Sequence, residues 1–72
     1  MFKRTYYYSI KDDTLTILCK GYSRRSYSIA DVSEITPEQA NDTEYCKRLV
    51  EDTLFNMGYI SEDEQINVVK QD

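Results

Sequence analysis

The sequence predicts an α+β fold: a three-stranded antiparallel β-meander, one main helix packed across it, and a short C-terminal strand or helical turn. Three observations carry that expectation. Apolar and polar residues alternate with period two through residues 2–30. A helix-start signal followed by apolar residues at three- and four-residue steps fills residues 36–57. A brief alternation returns near the end of the chain.

The first strand is read from Phe2, Tyr6, Tyr8 and Ile10, interleaved with Lys3, Thr5, Ser9 and Lys11. The second is read from Leu15, Ile17 and Cys19, interleaved with Thr14, Thr16 and Lys20. Asp12 and Asp13 lie between them, and aspartates tolerate turn backbone. A two-residue turn there makes paired positions sum to 25, so Ile10 faces Leu15, Tyr8 faces Ile17 and Tyr6 faces Cys19 on one side. Ser9 with Thr16, Tyr7 with Leu18 and Lys3 with Tyr22 lie on the other. A slip of one residue would turn one strand's apolar set to water, so pattern and turn agree.

Ser23-Arg24-Arg25-Ser26 reads as a second turn and Tyr27-Ser28-Ile29-Ala30 as a third strand. A three-residue loop would set Ile29 against Cys19 on the core face and Tyr27 across from Gly21, where a ring can cover bare backbone.

Thr36-Pro37-Glu38-Gln39 is a helix start: an N-cap threonine, proline at the first position and glutamine three residues after the cap. Asn41 with Glu44 repeats the cap spacing, which predicts a separate first turn before a main body at about residues 42–57. Cys46, Leu49, Val50, Thr53, Leu54 and Met57 form the stripe expected to face the sheet, and Gly58 sits where a left-handed C-cap belongs. In the tail, residues 59–72, Ile66 and Val68 alternate like a strand, while Ser61 with Glu64 has the spacing of a capping box.

Seventy-two residues are expected to make one small domain, close to the lower limit for a core without staples. Hydrophobic residues at 40% place the chain among ordered proteins, and two cysteines are too few for a disulfide scaffold. With no apolar leader or spanning run, the expected setting is cytoplasmic with free thiols, away from membranes. The formal charge of −4 is unevenly spread. Residues 1–30 hold six cations against two carboxylates, a net +4. Residues 31–72 hold three against eleven, a net −8.

No histidine is present, which removes the usual nucleophilic triads and the common zinc constellations. The two glycines, Gly21 and Gly58, make no phosphate-binding loop. Glu62-Asp63-Glu64 lacks the spacing of a calcium loop. Neither an enzyme nor a cofactor or metal protein is expected, and Cys19 and Cys46 read as small core hydrophobes.

Two surfaces remain. At 100° per residue, the buried helix stripe centres about 180° away from Phe55, which falls among Glu44, Arg48 and Glu51. Either the tail covers this phenylalanine through Ile60, Ile66 or Val68, or it is an apolar anchor in a charged ring. Glu44 and Arg48 have the spacing of a helical ion pair. The leading expectation is a non-catalytic protein-binding module that occupies a basic site on a partner protein. Glu44, Glu51, Asp52 and Phe55 would carry binding, and Asp42, Glu62, Asp63 and Glu64 would extend the patch. By composition it compares with small acidic inhibitors of phages and mobile elements, among them DNA mimics and anti-CRISPR proteins. The alternative is single-stranded nucleic-acid or RNA binding by the polar hairpin face, with Tyr7 and Tyr22 as stacking plates and Lys20, Arg24 and Arg25 as phosphate contacts. A homodimer through strand edges or Phe55 is a third reading, so the chain is expected to be a monomer or a homodimer.

Overall fold

Alternation and turn chemistry produce the hairpin that the register arithmetic demands. The computed structural model describes residues 3–20 and 25–71. Strand β1 (Arg4–Lys11) pairs antiparallel with β2 (Thr14–Lys20), with Tyr7 opposite Leu18, Tyr8 opposite Ile17 and Ile10 opposite Leu15. Asp12 takes φ 59 at the turn, a left-handed conformation that aspartate enters more easily than most residues. The Lys3–Tyr22 pairing and the roles given to Phe2 and Gly21 fall outside the described residues.

Strand β3 (Ser26–Val32) pairs antiparallel with β2, but not in the expected register. Cys19 faces Tyr27, not Ile29, so Tyr27 does not lie across from Gly21. Lys20 pairs with Ser26, and the expected turn at residues 23–26 lies partly outside the described residues. An irregularity between Ile17 and Leu18 then leaves Ile29 as an extra residue, and Ala30 and Val32 meet Ile17 and Leu15. Without the bulge Asp31, not Val32, would meet Leu15 on the core face.

Glu34, at φ 66, turns the chain so that Ile35 enters the core and donates its N–H to the Asp13 carbonyl at 2.8 Å. Helix α1 (Pro37–Asn41) opens with the complete capping box of Thr36 and Gln39. Helix α2 (Thr43–Asn56) is capped by Asp42, whose carboxylate accepts from the Tyr45 N–H at 3.1 Å. The expected Asn41 cap is therefore displaced by one residue. Asp42 can serve both helices, because its own N–H closes α1 on the Gln39 carbonyl at 3.1 Å. At the other end Gly58, at φ 83, accepts the left-handed turn, with Tyr59 N–H to Leu54 O at 2.9 Å and Gly58 N–H to Phe55 O at 3.0 Å. These two bonds make a Schellman closure.

Strand β4 (Ile66–Lys70) runs parallel to β1, setting Val68 beside Tyr6 and Val69 beside Tyr7. The sheet order is β3-β2-β1-β4, an α+β architecture of four strands and one main helix. Tyr6, Tyr8, Leu15, Ile17 and Val68 of the sheet close on Cys46, Val50 and Leu54 of α2, with Ile35 and Ile60 completing the core. Met57 departs from the expected stripe and is 46% exposed. It is the C-cap, a residue beyond the last helical one, where the chain is already leaving the sheet. Cys46 is fully buried, and its thiol donates to the Gln39 carbonyl at 3.3 Å, tying α1 to α2. Burial, more than any other influence, pushes that thiol above its ordinary value of 9.0. Cys19 and Cys46 are both free.

Candidate functional site

With α2 on one side, the sheet presents two unlike surfaces, and the candidate residues divide between them. On the helix side, Phe55 projects away from the core and remains 46% exposed. The tail does not bury it. Ile60 and Val68, two of the three residues expected to do so, are instead buried in the core, and Ile66 packs against that core. Phe55, with Glu51 and Asp52, lines one wall of a cleft of about 240 Å³, and Ile60, Glu62 and Glu64 from the following loop line the other.

That loop holds its shape through hydrogen bonds visible as a motif in the sequence. The Ser61 N–H donates to Glu64 Oε1 at 3.2 Å, and the Glu64 N–H donates to the Ser61 carbonyl at 3.1 Å. The Ser61–Glu64 box is thus formed, but the turn is not continued as a helix, and the strand follows. Glu64 also meets Arg4 Nε at 3.6 Å, while Arg4 Nη1 donates to the Tyr59 carbonyl at 3.2 Å. The Tyr6 hydroxyl first, and Glu64 second, hold the Arg4 guanidinium more firmly charged.

Arg4–Glu64 is the one ion pair among the described residues. The expected Glu44–Arg48 pair is not formed. Both side chains are exposed, and a helical pair worth about 0.3–0.5 kcal/mol does not hold two long side chains in one geometry. Glu51, Asp52 and Glu62 consequently border the cleft with no cation within 4 Å among the described residues.

Of the eight residues assigned to the acidic patch, five line this cleft: Glu51, Asp52, Phe55, Glu62 and Glu64. Glu44 and Asp42 belong to the N-terminal end of α2, where Asp42 is engaged as a cap, and Asp63 is exposed on the loop outside the cleft. Ile60 was not assigned to the acidic patch; it was expected only as one of the tail residues that could cover Phe55, and it lines the same cleft. Among the described residues, no group of three or more cysteines or carboxylates is placed to hold a metal ion.

Among the described residues, no helix lies on the opposite face of the sheet. A rung of Val69, Tyr7 and Leu18 crosses β4, β1 and β2 there, flanked by Thr5, Ser9, Thr16 and Lys20. Lys20 Nζ lies 4.4 Å from the centre of the Tyr7 ring. The alternative nucleic-acid site is therefore assembled in part, with Tyr7 and Lys20 together and Arg25 exposed just before β3. Tyr22 and Arg24 fall outside the described residues. The lysine already occupies one side of the ring that a base would use.

Among the described residues, no helix is long and apolar enough to cross a membrane. Comparison with protein-family models, curated proteins and solved structures finds no match for this chain.

Proposed function

We propose that this chain is a small non-catalytic protein-binding module that acts in the cytoplasm, inhibiting or regulating a partner by occupying a basic surface. The observation that supports this reading is Phe55, left 46% exposed on a well-capped helix between carboxylates that have no ion-pair partner among the described residues. A half-exposed aromatic ring in a charged rim has the anatomy of a binding hot spot. The carboxylates steer encounter with a cationic partner, and the ring supplies apolar burial once contact is made. A partner surface of that sign is commonly one that binds nucleic acid, and a rigid row of carboxylates resembles a phosphate backbone in charge. That comparison leads to the narrower proposal of an inhibitor of the kind carried by phages and mobile elements, such as a DNA mimic.

Loss of chemistry elsewhere is consistent with a binding role. The chain has no histidine, and its buried thiol is held protonated. The test is capture of partners by the wild-type chain and by the Phe55→Ala/Glu51→Lys double variant, with circular dichroism to verify that both are folded. The expected result is loss of the wild-type partner from the double variant. Equal capture by a folded double variant refutes the reading.

A further inference from the structure

The cleft beside Phe55 has dimensions and chemistry that narrow the partner. Its volume of about 240 Å³ falls below the roughly 300–1,000 Å³ of sites that enclose a small molecule, so it suits one projecting side chain. Phe55 and Ile60 give it apolar lining, and Glu51, Asp52 and Glu62 give it carboxylates without a partner among the described residues. Glu64 is already committed on both oxygens, one to Ser61 N–H and the other to Arg4. The remaining demand is for a cation with a flat apolar face.

We infer that the cleft between α2 and the 59–65 loop receives a single arginine side chain from a basic segment of the partner protein. A guanidinium can stack on the Phe55 ring while its N–H edge faces the carboxylates. The lysine ammonium is compact and strongly hydrated, so it answers the charge of the cleft but not its ring. This inference rests on the acidic-face reading above and adds to it the identity of the anchoring side chain.

The test is an NMR titration of the isotope-labelled full chain with three capped peptides: acetyl-Gly-Arg-Gly-amide, its lysine counterpart and its citrulline counterpart. The arginine peptide is expected to shift the Phe55 ring and Ile60 methyl signals and to bind roughly threefold or more tighter than the lysine peptide. The citrulline peptide, flat but uncharged, should leave those signals in place. Phe55→Ala should bring the arginine affinity down to that of lysine, and Glu51→Gln/Glu62→Gln should remove binding of both. Equal affinity for arginine and lysine at the wild-type cleft overturns the arginine assignment while leaving an acidic docking face. Shifts centred on Tyr7 and Val69, or no cleft shifts with either cation, overturn both.

Discussion

Leu54 and Phe55 are neighbours on α2 with opposite fates, and truncating each in turn measures what that difference is worth. Leu54 has no exposed surface. Its replacement by alanine removes buried methyl groups and leaves a void, a loss of about 3 kcal/mol. A chain of this length has roughly 4–11 kcal/mol of total stability, so Leu54→Ala should lower the melting temperature by some 12–24 °C. Phe55, 46% exposed, has about half of its ~200 Å² already out of water. At ~25 cal/mol per Å² that burial contributes about 2–3 kcal/mol at most, reduced by the compactness of the unfolded chain and by about 0.5 kcal/mol from alanine's higher helix propensity. The net cost should be about 1–2 kcal/mol, distinctly below that of Leu54→Ala. Binding reverses the order. Covering the remaining ~90 Å² of Phe55 against a partner is worth about 2 kcal/mol, some 20–30-fold in Kd, which Phe55→Ala should lose. Urea unfolding followed by circular dichroism reads the first quantity and a partner titration the second. If Phe55→Ala destabilises as much as Leu54→Ala and leaves the Kd unchanged, the ring is a core residue and the docking face is wrong.

Other outcomes follow from the same geometry. Gly58→Ala should cost about 1 kcal/mol in urea unfolding, because φ 83 strains an L-residue while nothing lies within 4 Å of the added methyl. Glu34→Gly should instead raise the urea midpoint slightly, by up to about 1 kcal/mol in stability, since Glu34 holds a left-handed φ of 66. Removing the cap with Asp42→Ala should cost about 1 kcal/mol, and Asp42→Ser should recover most of it. Stability should also fall at high pH. Burial raises both Cys46 and Tyr8, so the folded state retains protons that the unfolded chain releases, and folding free energy is lost as pH rises past 9.0 for the thiol and 10.0 for the phenol. Cys46→Val should remove the earlier part of that decline in urea midpoints measured across pH 8–11. An unchanged profile would show that the thiol does not contribute.

The hairpin register from Tyr7 to Lys11 was legible because two independent constraints coincide there. The Asp12–Asp13 turn sets one register, and the alternation from Tyr6 to Ile17 accepts only that one. The β2–β3 register was not legible, since neither the pairing of Lys20 with Ser26 nor the single extra residue at Ile29 leaves a mark in composition. Their effects on Ala30 and Val32 appear only when the strands are paired. The choice of Asp42 over Asn41 turned on which of two adjacent capping residues starts α2, with Asp42 accepting from the Tyr45 amide, a matter of backbone direction that residue type does not reveal.

The candidate site shows the same division. Helical angles alone placed Phe55 opposite the buried stripe, and Ser61 with Glu64 announced the turn that follows. The convergence of Glu62 and Ile60 on Phe55 depends on the Schellman turn at Gly58 and on Arg4, which reaches Glu64 across sixty positions of chain. The tail's apolar residues were also ambiguous until the sheet was assembled. Val68 could cover Phe55 or belong to a short final strand, and pairing beside Tyr6 settles it in the core.

The most direct measurement compares partner capture by three folded chains: wild type, Phe55→Ala/Glu51→Lys on the helix face, and Tyr7→Ala/Lys20→Ala on the open sheet face. The acidic-face account predicts that the sheet variant retains the wild-type partner and the helix variant loses it. Loss by the sheet variant with retention by the helix variant contradicts the account and places binding on the other side of the molecule.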